Sequence, residues 1–143
     1  MTFHEHEALL REEVQGGATG VCGLEVPRPG ALRAVIETVP GRSHVVWLLR
    51  EADGDGEVAR IVAPAAKIPK GRELGPDAAR ALLRRNASLS AGALAIASLG
   101  DEENVALVLP LRLASTDAAE VLLAIVRAAN AADAFEETLG GDS

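Results

Sequence analysis

Leu32, Ala34 and Ile36 alternate with Arg33, Val35 and Glu37, a two-residue period that predicts a half-buried strand ending at the Pro40-Gly41 turn. The next apolar stretch, His44 to Arg50, is apolar on both faces and rich in β-formers, which predicts an interior strand. Asp53-Gly54-Asp55-Gly56 reads as a hairpin turn, because Asp-Gly pairs supply the positive φ that tight turns require. A third strand follows from Glu57 to about Ala63, closed by Pro64, so this part of the chain reads as a three-stranded antiparallel meander.

The flanking segments carry helical periods. Glu5 to Gln15, with Ala8, Leu9 and Val14, predicts a short helix ended by Gly16-Gly17. Gly16 to Gly30 reads as a loop that admits a short edge strand near Val21–Val26. After a loop from Pro69 to Pro76, Pro76-Asp77 opens a second helix with Ala79, Leu82 and Leu83 as its apolar stripe. Arg84 and Arg85 complement its dipole and Asn86 stops it.

Gly92 to Ser98 predicts a fourth strand, Gly100 to Asn104 a charged hairpin loop, and Val105 to Leu113 a fifth strand. Pro110, inside that strand, calls for an edge position or a bulge. The final helix is capped by Ser115 or Thr116, with Glu120 in its first turn. Its apolar seam runs through Val121, Ile125, Ala128, Ala132, Phe135 and Leu139 to a stop at Gly140-Gly141. The expected fold is α+β, a five-stranded antiparallel sheet with three helices in the order α-β-β-β-α-β-β-α, forming a single domain over 1–143.

Composition narrows the function. Aromatic residues make up only 2% of the 143 residues, namely Phe3, Trp47 and Phe135, so the core is built from Leu, Val, Ile and Ala. Buried alanine removes little area from water, which gives such a chain reason to bury more by self-association. A net charge of −7, no basic cluster denser than Arg80, Arg84 and Arg85, and no aromatic platform disfavour direct nucleic-acid binding. The polar, acidic N-terminus and the lack of a long apolar run point to a cytoplasmic protein without a membrane span.

No catalytic or metal constellation emerges. His4-Glu5-His6 reads as a solvated terminus, since a zinc site needs three held ligands and the remaining imidazole, His44, lies in a strand. Counting twelve positions from Asp53 reaches Pro64, where an EF-hand needs a carboxylate. Cys22 has no base beside it and reads as a small buried hydrophobe. Asn86-Ala87-Ser88 matches a glycosylation acceptor that carries no weight without a secretory signal, and Glu102-Glu103 and Glu136-Glu137 read as solvated charge. No cofactor is implied, and the chain is read as a non-enzyme.

The surplus apolar surface of strand 44–50 stands out. Val45, Trp47 and Leu49 point to one side, Val46 and Leu48 to the other. In an antiparallel sheet the second face commonly meets water, so an apolar one marks a protein interface unless a helix covers each face.

Leu82-Leu83-Arg84-Arg85-Asn86-Ala87-Ser88-Leu89 followed by Gly92-Ala93-Leu94-Ala95-Ile96 resembles the helix-to-strand junction of YbjN-type proteins, which share the fold of type III secretion chaperones of the CesT class. Leu107-Val108-Leu109-Pro110-Leu111, the Thr116-Asp117 helix start and the acidic closing helix are similar too. Residues 1–30 match poorly, and Ser90-Ala91 replaces the aromatic expected there. The resemblance implies a chaperone-like homodimer whose sheet and helix surfaces hold an extended client segment, with no catalytic residues. Val45, Val46, Trp47, Leu48, Leu49, Leu89, Leu94 and Ile96 are the candidate partner or dimer surface. A small-molecule sensor domain and a structural subunit of a larger complex are the alternatives.

Overall fold

The structure is a computed structural model that describes the backbone of residues 2–15, 21–53 and 56–140 and the side chains of 2–15, 21–51 and 57–136. It is α+β: α1 (Phe3–Gln15), β1 (Val21–Arg28), β2 (Ala31–Val39), β3 (Arg42–Asp53), β4 (Gly56–Ile68), α2 (Pro76–Asn86), β5 (Ala93–Leu99), β6 (Glu102–Arg112) and α3 (Ala118–Gly140). The six strands form one sheet in the order β1-β2-β3-β4-β6-β5, every neighbouring pair antiparallel.

The sheet therefore has six strands where the sequence predicts five. The additional one, β1, occupies the segment read as a loop with an optional edge strand. It is an edge strand, and its one glycine, Gly23, and Pro27 coincide with register shifts on either side of Gly23 to Glu25. An edge position and an irregular ladder are where a strand tolerates proline. Pro29-Gly30 and Pro40-Gly41 are equivalent two-residue links, Arg28 pairing Ala31 and Val39 pairing Arg42, with Gly30 and Gly41 at φ of 81° and 83°. Proline presets the first turn position and glycine takes the positive φ of the second. The Asp53–Gly56 turn, the Gly16-Gly17 helix stop, the end of the α3 seam at Leu139 and the Gly141 terminator lie wholly or partly outside the described residues.

Two prolines act differently from one another. Pro64 does not close β4, which bulges between Pro64 and Ala66 and continues to Ile68 along β6. Pro110 lies in β6, an interior strand, but β5 pairs β6 only as far as Val108. Beyond that point Pro110 has a neighbour on one side alone, Arg60 of β4, so its missing N–H breaks no ladder.

The helices gather over one face. Val121, Ile125, Ala128, Ala132 and Phe135 of α3 are buried as the seam predicts, sharing a single core cluster with Leu32, Ala34, Ile36, Val46, Leu48, Ile61 and Leu107. Asp117, rather than Ser115 or Thr116, caps α3, its Oδ1 accepting the Glu120 N–H at 2.8 Å. On α1 the buried stripe is Phe3, His6 and Leu10, instead of Ala8, Leu9 and Val14. Glu57 of β4 anchors its start: Oε2 accepts the Phe3 N–H at 2.6 Å, while Oε1 pairs with Arg50 at 2.7 Å. A carboxylate at a helix N-terminus satisfies an orphan donor and complements the dipole. Leu82 seats α2 in the same core, beside β5. No described helix is long and apolar enough to cross a membrane.

Candidate partner-binding face

The pleat of β3 sorts its residues by parity. His44, Val46 and Leu48 point to the helices and are buried; Val45, Trp47 and Leu49 point away and are half-buried. Cross-strand register extends this outer face. Val45 pairs with Val35, Trp47 with Arg33 on one side and Val62 on the other, and Leu49 with Arg60. Val62 pairs onward with Val108, which pairs with Ala93. Trp47, Val62, Val108 and Ala93 thus form one row across four strands.

None of these outer residues belongs to the core cluster or packs against it, although Val62, 2% exposed, is buried within the row and offers it no surface of its own. Among the described residues, helices therefore line one face of the sheet and none packs on the other. A groove of about 470 Å³ runs over it, lined by Val45, Trp47, Leu49, Pro64, Leu99 and Asn104 among others. Ion pairs stand around the apolar centre: Arg33 with Glu25 at 3.2 Å, Arg60 with both oxygens of Glu51 at 2.9 Å, and Lys67 with Glu102 at 2.8 Å. By register, Arg28, Arg33, Arg60, Lys67 and Arg112 on this face roughly balance Glu25, Glu37, Glu51 and Glu102. The acidic excess of the chain lies elsewhere.

The eight residues singled out from the sequence divide accordingly. Val45, Trp47 and Leu49 lie on the open face. Val46, Leu48 and Leu94 are core, each at most 6% exposed, and take no part in a surface; alternation along β3 and β5 turns them toward the helices. Leu89 packs half-buried against the core beyond α2. Ile96 is 51% exposed, on edge strand β5. Val35, Val62 and Val108 were not legible as members of this face, because membership depends on register between strands.

The other polar residues have local roles. His6 is fully buried and donates from Nε2 to the Leu113 carbonyl at 3.2 Å, whereas His4 is exposed, so the two imidazoles do not converge. Cys22 is exposed on β1 rather than buried. A cavity of about 700 Å³ opens where α1 meets the β1–β2 turn. Of the two carboxylates lining it, Glu57 is committed to Phe3 and Arg50 and Glu7 faces His4 at 3.4 Å.

β3 and β4 separate at one end. Their pairing ends at Trp47 with Val62, although β4 continues with β6 to Ile68. Into this fork the His44 ring donates from Nε2 to the Pro64 carbonyl. Its Nδ1 faces Glu136 Oε2 at 3.6 Å, and Arg42 holds Asp133 Oδ2 at 2.6 Å. Sequence reading missed this group because its members lie about ninety residues apart on β3 and α3.

No family model, no curated protein and no solved structure matches this chain.

Proposed function

We propose that this chain is a non-enzymatic, chaperone-like module that acts as a homodimer and holds an extended segment of a partner protein on its open sheet face. The reading follows the resemblance to YbjN-type proteins and CesT-class chaperones, and it is supported above all by the apolar Trp47 row left uncovered by helices. An apolar centre ringed by paired charges is the anatomy of a protein interface. The near-balance of charge there lets a second acidic chain approach without the repulsion that −7 imposes elsewhere.

The β5 edge favours the homodimer. Asn86 takes both the N–H and the carbonyl of Leu94, so these groups point away from β6. Backbone alternation directs those of Ile96 and Ser98 the same way. Asn86 occupies this edge at Leu94, but beyond it residues 95–99 carry no charge, proline or bulge to discourage pairing, the protections an exposed edge ordinarily has. Two copies joined at this edge would extend one open face across both.

Light scattering and Trp47 emission test the proposal together. The full chain is expected to be dimeric at micromolar concentration. Its tryptophan emission is expected to shift on titration with extended apolar peptides, and Leu49→Lys is expected to abolish the shift. A monomer whose emission no peptide moves would overturn it.

A further inference from the structure

We infer that His44, Asp133 and Glu136 form a binding site for a single divalent transition ion of the zinc class, tying the half of β3 that has parted from β4 to α3. The decisive group is the His44 ring. A carbonyl only accepts, so its bond with Pro64 places a proton on Nε2, and in the neutral ring Nδ1 then carries the unshared pair that can ligate. That nitrogen is held in a side chain 8% exposed and faces a carboxylate oxygen at 3.6 Å. A lone pair and a carboxylate repel unless a proton or a metal cation lies between them, and the pair is wide enough at 3.6 Å to admit the metal. A backbone carbonyl on the far nitrogen is also the usual support of a metal-bound imidazole, because it fixes the tautomer and the ring plane.

The remaining donors suit the same ion. Asp133 and Glu136 are three residues apart on α3 and so share a helix face. The donor atoms of all three residues lie within 4.8 Å of one another. Metal–donor bonds of about 2.1 Å put tetrahedral donors roughly 3.4 Å apart, so the His44–Glu136 spacing already fits and the widest gap closes by at most about 1.4 Å of side-chain rotation. Arg42 occupies Asp133 Oδ2, which leaves Oδ1 for the ion. Two carboxylates against one guanidinium leave a negative charge to attract it. One imidazole nitrogen and two carboxylate oxygens, without thiolate, form a zinc-class donor set. Glu136 is exposed, and a cavity of about 220 Å³ bordered by His44, Pro64, Asn104 and Glu136 gives the ion a way in and room for a water ligand.

Calorimetric titration of the full chain with Zn²⁺, paired with thermal unfolding, tests the site. One equivalent is expected to bind and to raise the unfolding midpoint, since the ion binds the folded state alone. Glu136→Gln, at an exposed position where folding is not at stake, and His44→Ala, checked for folding by circular dichroism, are each expected to weaken binding by about 10–100-fold. His4→Ala should leave it unchanged. Absence of uptake, uptake unaffected by Glu136→Gln, or uptake lost with His4→Ala would each overturn the assignment.

Discussion

The side-chain amide of Asn86 closes two hydrogen bonds on the backbone of Leu94, Nδ2 donating to its carbonyl at 3.1 Å and Oδ1 accepting its N–H at 2.6 Å. The residue that stops α2 thus stands where another strand would pair with β5, and it fixes the angle at which helix meets sheet. Asn86→Ala leaves both backbone groups without this partner, at a cost of about 1–3 kcal/mol. Asn86→Asp keeps the acceptor, loses the donor and should fall between. Urea unfolding measures both, and a wild-type midpoint for Asn86→Ala would show that water replaces the amide without loss.

Glu57 makes a comparable link at the other end of the sheet. Its two oxygens serve the first N–H of α1 and the Arg50 guanidinium. Glu57→Ala should loosen α1 before anything else, because the helix otherwise holds by Phe3, His6 and Leu10 alone. Hydrogen exchange is expected to rise in the α1 amides, by an opening free energy about 1–2 kcal/mol smaller, with β2 to β4 protected as before. Equal loss of protection in the sheet would mean that α1 and the sheet open as one unit.

These links show where a reading from sequence stops. The α3 seam, the β2 alternation and the Pro76 start of α2 were legible because each depends on period or capping within one segment. β1 was legible only as an optional edge strand within a loop: Gly23 and Pro27 are strand-breaking by local propensity, and only pairing with β2 at the sheet edge makes them acceptable. The end of β4 was missed for the same reason, since a bulge at Pro64 is visible only against β6. For the candidate face, the apolar excess of β3 was legible but its open side was not. That depends on all three helices packing over the other face. His44, Asp133 and Glu136 come together only through tertiary packing, which no spacing along the chain encodes.

On the open face, Lys67 and Glu102 make a diagonal pair between β4 and β6. The hydrogen bond to Glu102, then the Glu102 charge, raise Lys67 above its ordinary value of 10.5, with Asp101 adding to this and slight burial opposing it. A raised folded value means that the pair stabilises fully below the unfolded value and that this stability is lost as pH climbs through the folded one. Its contribution should therefore be constant through neutral pH and fade only in strong alkali. An NMR titration of the Lys67 amine checks this: Glu102→Gln is expected to lower its midpoint, and an unmoved midpoint would show that the pair is not formed in solution.

Trp47 and Leu48 are adjacent in sequence and serve different ends, which gives the sharpest test of the proposed face. Leu48 is 1% exposed among core residues, so Leu48→Ala should cost about 2–5 kcal/mol of stability. Trp47 lies outside the core cluster, half-buried beside Val62 and Arg33. Trp47→Ala should cost clearly less in stability. It should instead weaken self-association or peptide binding by tenfold or more, about 1.4 kcal/mol, as loss of an aromatic anchor does at an interface. Chemical unfolding measured at low protein concentration separates the two effects from dimer dissociation. If Trp47→Ala unfolds the chain as readily as Leu48→Ala and leaves association unchanged, the outer row is a second core and not a binding surface.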